Sequence, residues 1–164
     1  MGKYKVKLDF FKLVKREIRI MLKNFSIIYS FSTFFVIASL IFVFSINDIS
    51  YVKIFYKSIV WIVLIFSIML VSENFLNEDF NDGSLKELQF LGFSEESIIV
   101  SKSIAMWVMI MIPMLFLLPL VFVFFQITLY ELVSLLISLF LATPTLTLIS
   151  ILSSFFSVQL KRNK

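Results

Sequence analysis

Four long apolar runs alternate with short polar interruptions along this chain, and one interruption is much longer than the others. The first run, Phe25 to Ile46, carries no charge over 22 residues. That is enough to cross a hydrocarbon layer of about 30 Å as a helix. Asn47-Asp48 ends it, and a second run spans about residues 54–72, with Lys53 and Lys57 reaching outward from its first turns beside Tyr51, Phe55, Tyr56 and Trp61. Aromatic rings beside lysines with long flexible stems mark a bilayer surface. The third run, Ser103 to Tyr130, is uncharged and holds Pro113 and Pro119; its crossing is placed at 103–125. Glu131 separates it from the fourth, placed at 132–158, which carries Ala142-Thr143-Pro144-Thr145. The three prolines are read as helix kinks, tolerated in lipid because neighbouring helices satisfy the freed carbonyls.

The long interruption, residues 73–102, has seven acids (Glu73, Glu78, Asp79, Asp82, Glu87, Glu95, Glu96) and two bases, Lys86 and Lys102. At roughly 2.5–3.5 kcal/mol per ionised group at mid-bilayer, seven acids would cost on the order of 20 kcal/mol, so the segment is expected in water. Its local signals form an elbow. Asp82-Gly83 is a turn. Ser84 and Glu87 stand at capping-box spacing, Leu85, Leu88 and Leu91 share one face, and Gly92 closes the short helix. Ser94 then caps a second helix, Phe93 and Ile98 have the spacing of a hydrophobic staple, and Glu95 and Glu96 suit the positive helix start.

Residues 1–24 form a basic lead-in, with helical pattern from Leu8 to Lys23. Lys12, Lys15, Arg16, Arg19 and Lys23 fall on one face, and Phe10, Phe11, Val14, Ile18, Met21 and Leu22 lean to the other. Such a helix is expected to lie in the headgroup plane with its bases toward anionic lipid. Eight bases precede the first span and three follow the last. Both ends, including the tail at 159–164, are therefore expected on the cytoplasmic side, and four crossings put the elbow there too. The fold class that follows is an all-α integral membrane protein, a single membrane domain over 1–164. It comprises an amphipathic interfacial helix, four transmembrane helices and a short cytoplasmic helix between spans two and three.

Composition narrows the chemistry. The apolar fraction is 60% and the mean hydropathy +0.99. There is no Cys and no His, which removes disulfides, thiolate metal sites and the commonest general base and haem ligand. Met106, Met109, Met111 and Met114 are read as packing residues. The three glycines cannot build a phosphate-cradling loop, so no ATP hydrolysis is expected. Glu78, Asp79 and Asp82 lack the spacing of a calcium loop. No catalytic, cofactor-binding or metal-binding residue is assigned, and nucleic acid is not an expected partner. Two classes remain: a transport permease whose elbow docks a separate ATPase, and a membrane anchor subunit for a peripheral enzyme or respiratory complex. A short rigid helix suits transmission of a push and so favours the permease.

At the elbow the sequence resembles the ABC-2 class of permeases, through Glu78-Asp79, Asp82-Gly83-Ser84-Leu85-Lys86-Glu87-Leu88, Ser94 and Ser101-Lys102. With Arg16-Glu17-Ile18-Arg19 leading into the first span and Thr143-Pro144 in the fourth, it is most similar to the haem exporter protein B (CcmB) family, from about Lys15 onward. Phe93 stands where the family commonly has proline, Ala142 where it has glycine, and four spans are read where the family usually has six. The resemblance implies a permease subunit for haem export or haem delivery in c-type cytochrome biogenesis, in a bacterial inner membrane, with the mitochondrial inner membrane as the alternative. It implies an ABC ATPase (CcmA-like) that hydrolyses ATP and grips a coupling helix made by Asp82, Gly83, Ser84, Leu85, Glu87, Leu88 and Leu91. It also implies a haem-handling membrane subunit (CcmC-like), a haem chaperone (CcmE-like), and haem as the substrate of the complex. A charge at Leu85 or Leu88 is then expected to weaken ATPase binding without unfolding the spans. An ABC-2 permease for another amphipath is the alternative within the same fold.

Overall fold

The computed structural model describes the backbone at residues 2–46 and 48–162, and side chains at 10–46, 48 and 50–157. The described residues form six helices: α1 (Gly2–Lys23), α2 (Phe25–Ser45), α3 (Ile49–Asn81), α4 (Ser84–Phe90), α5 (Glu95–Phe125) and α6 (Leu129–Arg162). No strand occurs among the described residues. Four helices are long and apolar enough to cross a membrane, and the protein is an all-α membrane protein. The four spans form a ring in which α2 packs on α3, α3 on α6, α6 on α5 and α5 on α2. Helix α1 lies against α5.

Each span buries a stripe at helical spacing and leaves equally apolar side chains for lipid. In α2 the stripe is Ile27, Phe31, Phe35 and Ser39, four residues apart, with the rings of Phe31 and Phe35 stacked at 6.0 Å. Opposite stand Val60, Val63, Leu64 and Ile68 of α3, and Met106, Met109 and Ile110 of α5. The outward face of α2 (Phe25, Tyr29, Ile37, Ile41 and Phe44) is just as apolar, which is why its sequence shows no amphipathic alternation. Since lipid tails compete equally for apolar side chains, hydrogen bonds between helices help set which faces meet. Ser72 of α3 bonds Ser150 and Ser154 of α6, and Trp107 Nε1 of α5 donates to Thr143 Oγ1 of α6 at 3.0 Å.

The helices outrun the apolar runs that announce them. Helix α3 continues nine residues past Ser72, to Asn81, so Glu73, Glu78 and Asp79 are helical rather than loop. Helix α5 begins at Glu95, with Ser94 as its cap; the Ser97 amide donates to Ser94 Oγ at 3.3 Å. Pro113 and Pro119 sit inside a continuous α5, and Pro144 inside α6. At the other end of the bundle α5 stops at Phe125, because Gln126 takes a left-handed conformation (φ +49°). Thr128 and Glu131 then form a capping box at the start of α6. The Thr128 amide donates to Glu131 Oε2 at 2.7 Å, and the Glu131 amide to Thr128 Oγ1 at 3.3 Å. Glu131 therefore has a specific task beyond marking a surface.

Helix α1 departs from the expected two-faced pattern. Lys12, Lys15, Arg19 and Lys23 do face outward and Arg16 is half-buried, but the inward stripe is Leu13, Glu17 and Met21, four residues apart and buried, while Phe11 and Leu22 are exposed. A carboxylate occupies the centre of the buried face because α5 offers it a cation.

Candidate functional site

The elbow now consists of two tight turns around α4. At the first, Gly83 (φ +76°) follows α3, its amide donating to Phe80 O at 3.2 Å, and its own carbonyl accepts the first bonds of α4, from Lys86 and Glu87. A β-carbon at Gly83 would meet nothing within 4 Å, so the glycine serves backbone conformation alone. Because Gly83 takes the cap position, Ser84 becomes the first helical residue and makes no capping box with Glu87. Its Oγ donates instead to Asp79, lying 3.0 Å from Oδ1 and 3.2 Å from the main-chain oxygen. The second turn is a complete Schellman motif. The Phe93 amide donates to Leu88 O at 3.2 Å, the Gly92 amide to Gln89 O at 3.0 Å, and Gly92 has φ +87°.

Between these turns, α4 has an inside and an outside. Leu88 is buried against Leu13 of α1 and Ile98 of α5, with Leu85 and Phe93 around them. Phe93 and Ile98 thus share one cluster, as a hydrophobic staple requires. Lys86, Glu87, Gln89, Phe90 and Leu91 face out, Phe90 being 90% and Leu91 73% exposed. Of the three leucines expected on one docking face, Leu88 is turned fully inward, Leu85 is half-buried and Leu91 points away. A seven-residue helix cannot present three leucines to a partner and still be seated; the seat takes Leu88. Asp82 is exposed at the end of α3.

Behind α4 lies a cluster of charges that the sequence reading placed in water. Lys102 is 1% exposed. Its Nζ donates to Glu17 Oε2 at 2.7 Å and to Asp79 Oδ2, and it sits 4.7 Å from the centre of the Phe75 ring. Arg16 donates to the other oxygen of Glu17 at 2.7 Å. Each carboxylate oxygen therefore has a partner: Arg16 and Lys102 on Glu17, Ser84 and Lys102 on Asp79. Two bases meet two acids, which makes burial tolerable; removing one partner of such a set typically costs about 3–5 kcal/mol. The ring of Phe75 presents its negative face to the ammonium. The partners come from α1, α3 and α5, and Ser84 adds the first residue of α4.

The remaining acids are dispersed. Glu78 accepts from Asn24 Nδ2 at 2.6 Å, which pins the break between α1 and α2 to the end of α3. Among the described residues no three His, Cys, Asp or Glu gather as a metal site.

Sequence reasoning missed the role of Lys102 and Glu17. Two signals were present: Glu17 is the one acid flanked on both sides by bases in the α1 pattern, between Arg16 and Arg19, and Lys102 is the base that opens an otherwise uncharged run to Tyr130. Neither signal names its partner, which lies 85 residues away.

Heme exporter protein B of Haemophilus influenzae is 25% identical over 154 residues, covering 93% of this chain and 70% of that protein. The family described as CcmB protein matches residues 8–164, which include α4 and every member of the buried charge cluster. The chain belongs to the CcmB protein family.

Proposed function

We propose that this chain is the membrane permease subunit of an ABC transporter that exports or delivers haem for c-type cytochrome assembly, with ATP hydrolysed in a separate subunit. One observation carries the coupling part of this reading. Helix α4 is short, held at both ends by left-handed glycines, and seated on Leu88, while Phe90 and Leu91 project from its outer side. Exposed aromatic and aliphatic side chains on a rigid, otherwise polar helix suit a protein contact. Lys86, Glu87 and Gln89 would rim that contact. Asp82, Gly83 and Ser84 set the angle of α4, and Leu85 and Leu88 hold it to the bundle. Family membership supplies the haem part, since the relative is named a heme exporter.

In this reading the elbow and both chain ends face the cytoplasm of a bacterial cell, as the distribution of bases favours. The partners are a CcmA-like ATPase at α4, and a CcmC-like haem-handling subunit and CcmE-like chaperone at the membrane and beyond it. A permease for another amphipath would keep the same elbow, whereas an anchor subunit would not need one. The test is co-expression with the ATPase and affinity capture of the tagged chain from membranes. Phe90→Asp with Leu91→Asp should reduce captured ATPase at least tenfold while the spans stay inserted. Undiminished capture would remove the docking role, and recovery of a redox enzyme in place of an ATPase would favour the anchor.

A further inference from the structure

Helix α4 is attached to the bundle in two ways that differ in kind. Leu88 rests on Leu13 and Ile98; apolar contact is non-directional and tolerates sliding. Ser84, in contrast, is fixed to Asp79 by hydrogen bonds, Asp79 to Lys102, and Lys102 to Glu17. This second route runs through directional, charge-assisted bonds.

The two carboxylates on Lys102 are not equivalent. Glu17 is 0% exposed and has both oxygens on cations, Arg16 and Lys102. Asp79 has a 12% exposed side chain, shares one oxygen with a neutral hydroxyl, and lies on the helix that leads directly into α4. Helix α1 lies along α5, and α4 folds back on α3, which meets α5 across the ring. We infer that Lys102 is a positioning residue for coupling. Its contact with Asp79 is the one that opens when α4 is displaced, and its contact with Glu17 persists, so that α1 with α5 and α3 with α4 move as two bodies. This rests on the permease reading above, and it adds where the moving parts divide.

The chain contains no cysteine, so paired cysteines can be introduced without competing thiols. In the complete complex with its ATPase, spin labels on cysteines at exposed positions, R19C/E96C for α1 to α5 and N81C/E96C for α3 to α5, report separations by electron–electron double resonance without nucleotide and with a non-hydrolysable ATP analogue. The 81–96 separation should shift on nucleotide binding while the 19–96 separation stays unchanged. An unchanged 81–96 separation, or an equal shift in both pairs, would overturn the division.

The triple variant E17Q/D79N/K102M, which leaves half-exposed Arg16 as the one charge of the set, tests the role of Lys102 itself. Apolar or neutral replacement of a buried ionic set commonly preserves the fold. The variant should therefore melt near the wild type and capture the ATPase normally, yet hydrolyse ATP with haem transfer reduced at least tenfold. Wild-type transfer by this variant would refute the role of Lys102. Failure of the wild-type complex itself to capture an ATPase or move haem would refute the permease reading instead, so the two outcomes remain separate.

Discussion

Truncating Leu88 to alanine removes the main side chain that seats α4. Leu88 is 1% exposed, touches the cluster of Leu13 and Ile98, and is the fully buried residue of a seven-residue helix. Leu→Ala in such a site costs about 2–5 kcal/mol, the spread depending on how far the surroundings collapse. Since α4 is short, that loss falls on its local detachment rather than on the four spans. At about 1.4 kcal/mol per factor of ten, a 2 kcal/mol loss raises the open population roughly 30-fold. Amide hydrogen exchange over residues 84–93, measured by mass spectrometry in nanodiscs, should accelerate by that factor, with α3 and α5 unchanged. Phe90→Ala is the control: at 90% exposure it should move exchange by no more than about twofold, in line with surface substitutions of about 0.5 kcal/mol. Unaltered exchange in Leu88→Ala, or equal acceleration in Phe90→Ala, would show that α4 is not held by this seat. A charge at Leu88 should accordingly reduce ATPase capture by releasing α4 itself, a different cause from the direct loss of contact expected on sequence grounds.

Two other substitutions test the turns. Gly92→Ala places a β-carbon in open space but in a left-handed backbone, so it should destabilise the end of α4 by about 1–2 kcal/mol, seen as faster exchange at Gly92 and Phe93. Thr128→Ala removes the cap of α6 and should cost about 1 kcal/mol. Exchange at residues 129–132 reports the fraying, and Thr128→Ser should restore most of the protection.

Features that one stretch of chain decides by itself were legible in the sequence. Phe25 to Ser45 must be a span because nothing in it can pay for water exposure or break the helix. Gly83, Gly92 and Ser94 announce their turns and cap because the backbone there needs a left-handed residue or a hydroxyl, whatever surrounds it. The capping box at Thr128 and Glu131 was equally local, yet the uncharged run from Ser103 to Tyr130 hid it, since the left-handed break at Gln126 carries no glycine signal. The charge cluster was not legible. Counting acids in residues 73–102 treats each as isolated, whereas Asp79 and Lys102 neutralise one another and Glu17 arrives from another helix. Ser84 shows the same limit in miniature: its spacing to Glu87 is that of a cap, but Asp79, held nearby by its own ion pair, is the partner it finds.

The order in which the ribosome delivers these residues matters. Glu17 is synthesised first, Asp79 next, and the ammonium that neutralises them both last. A carboxylate buried without its cations is several kcal/mol unfavourable, and of the two on Glu17 only Arg16 is present from the start. The opening helix is therefore expected to seat fully against the bundle only once Lys102 has been translated. A nascent chain arrested before that point would keep its first segment accessible to proteases, and one arrested well after it would not.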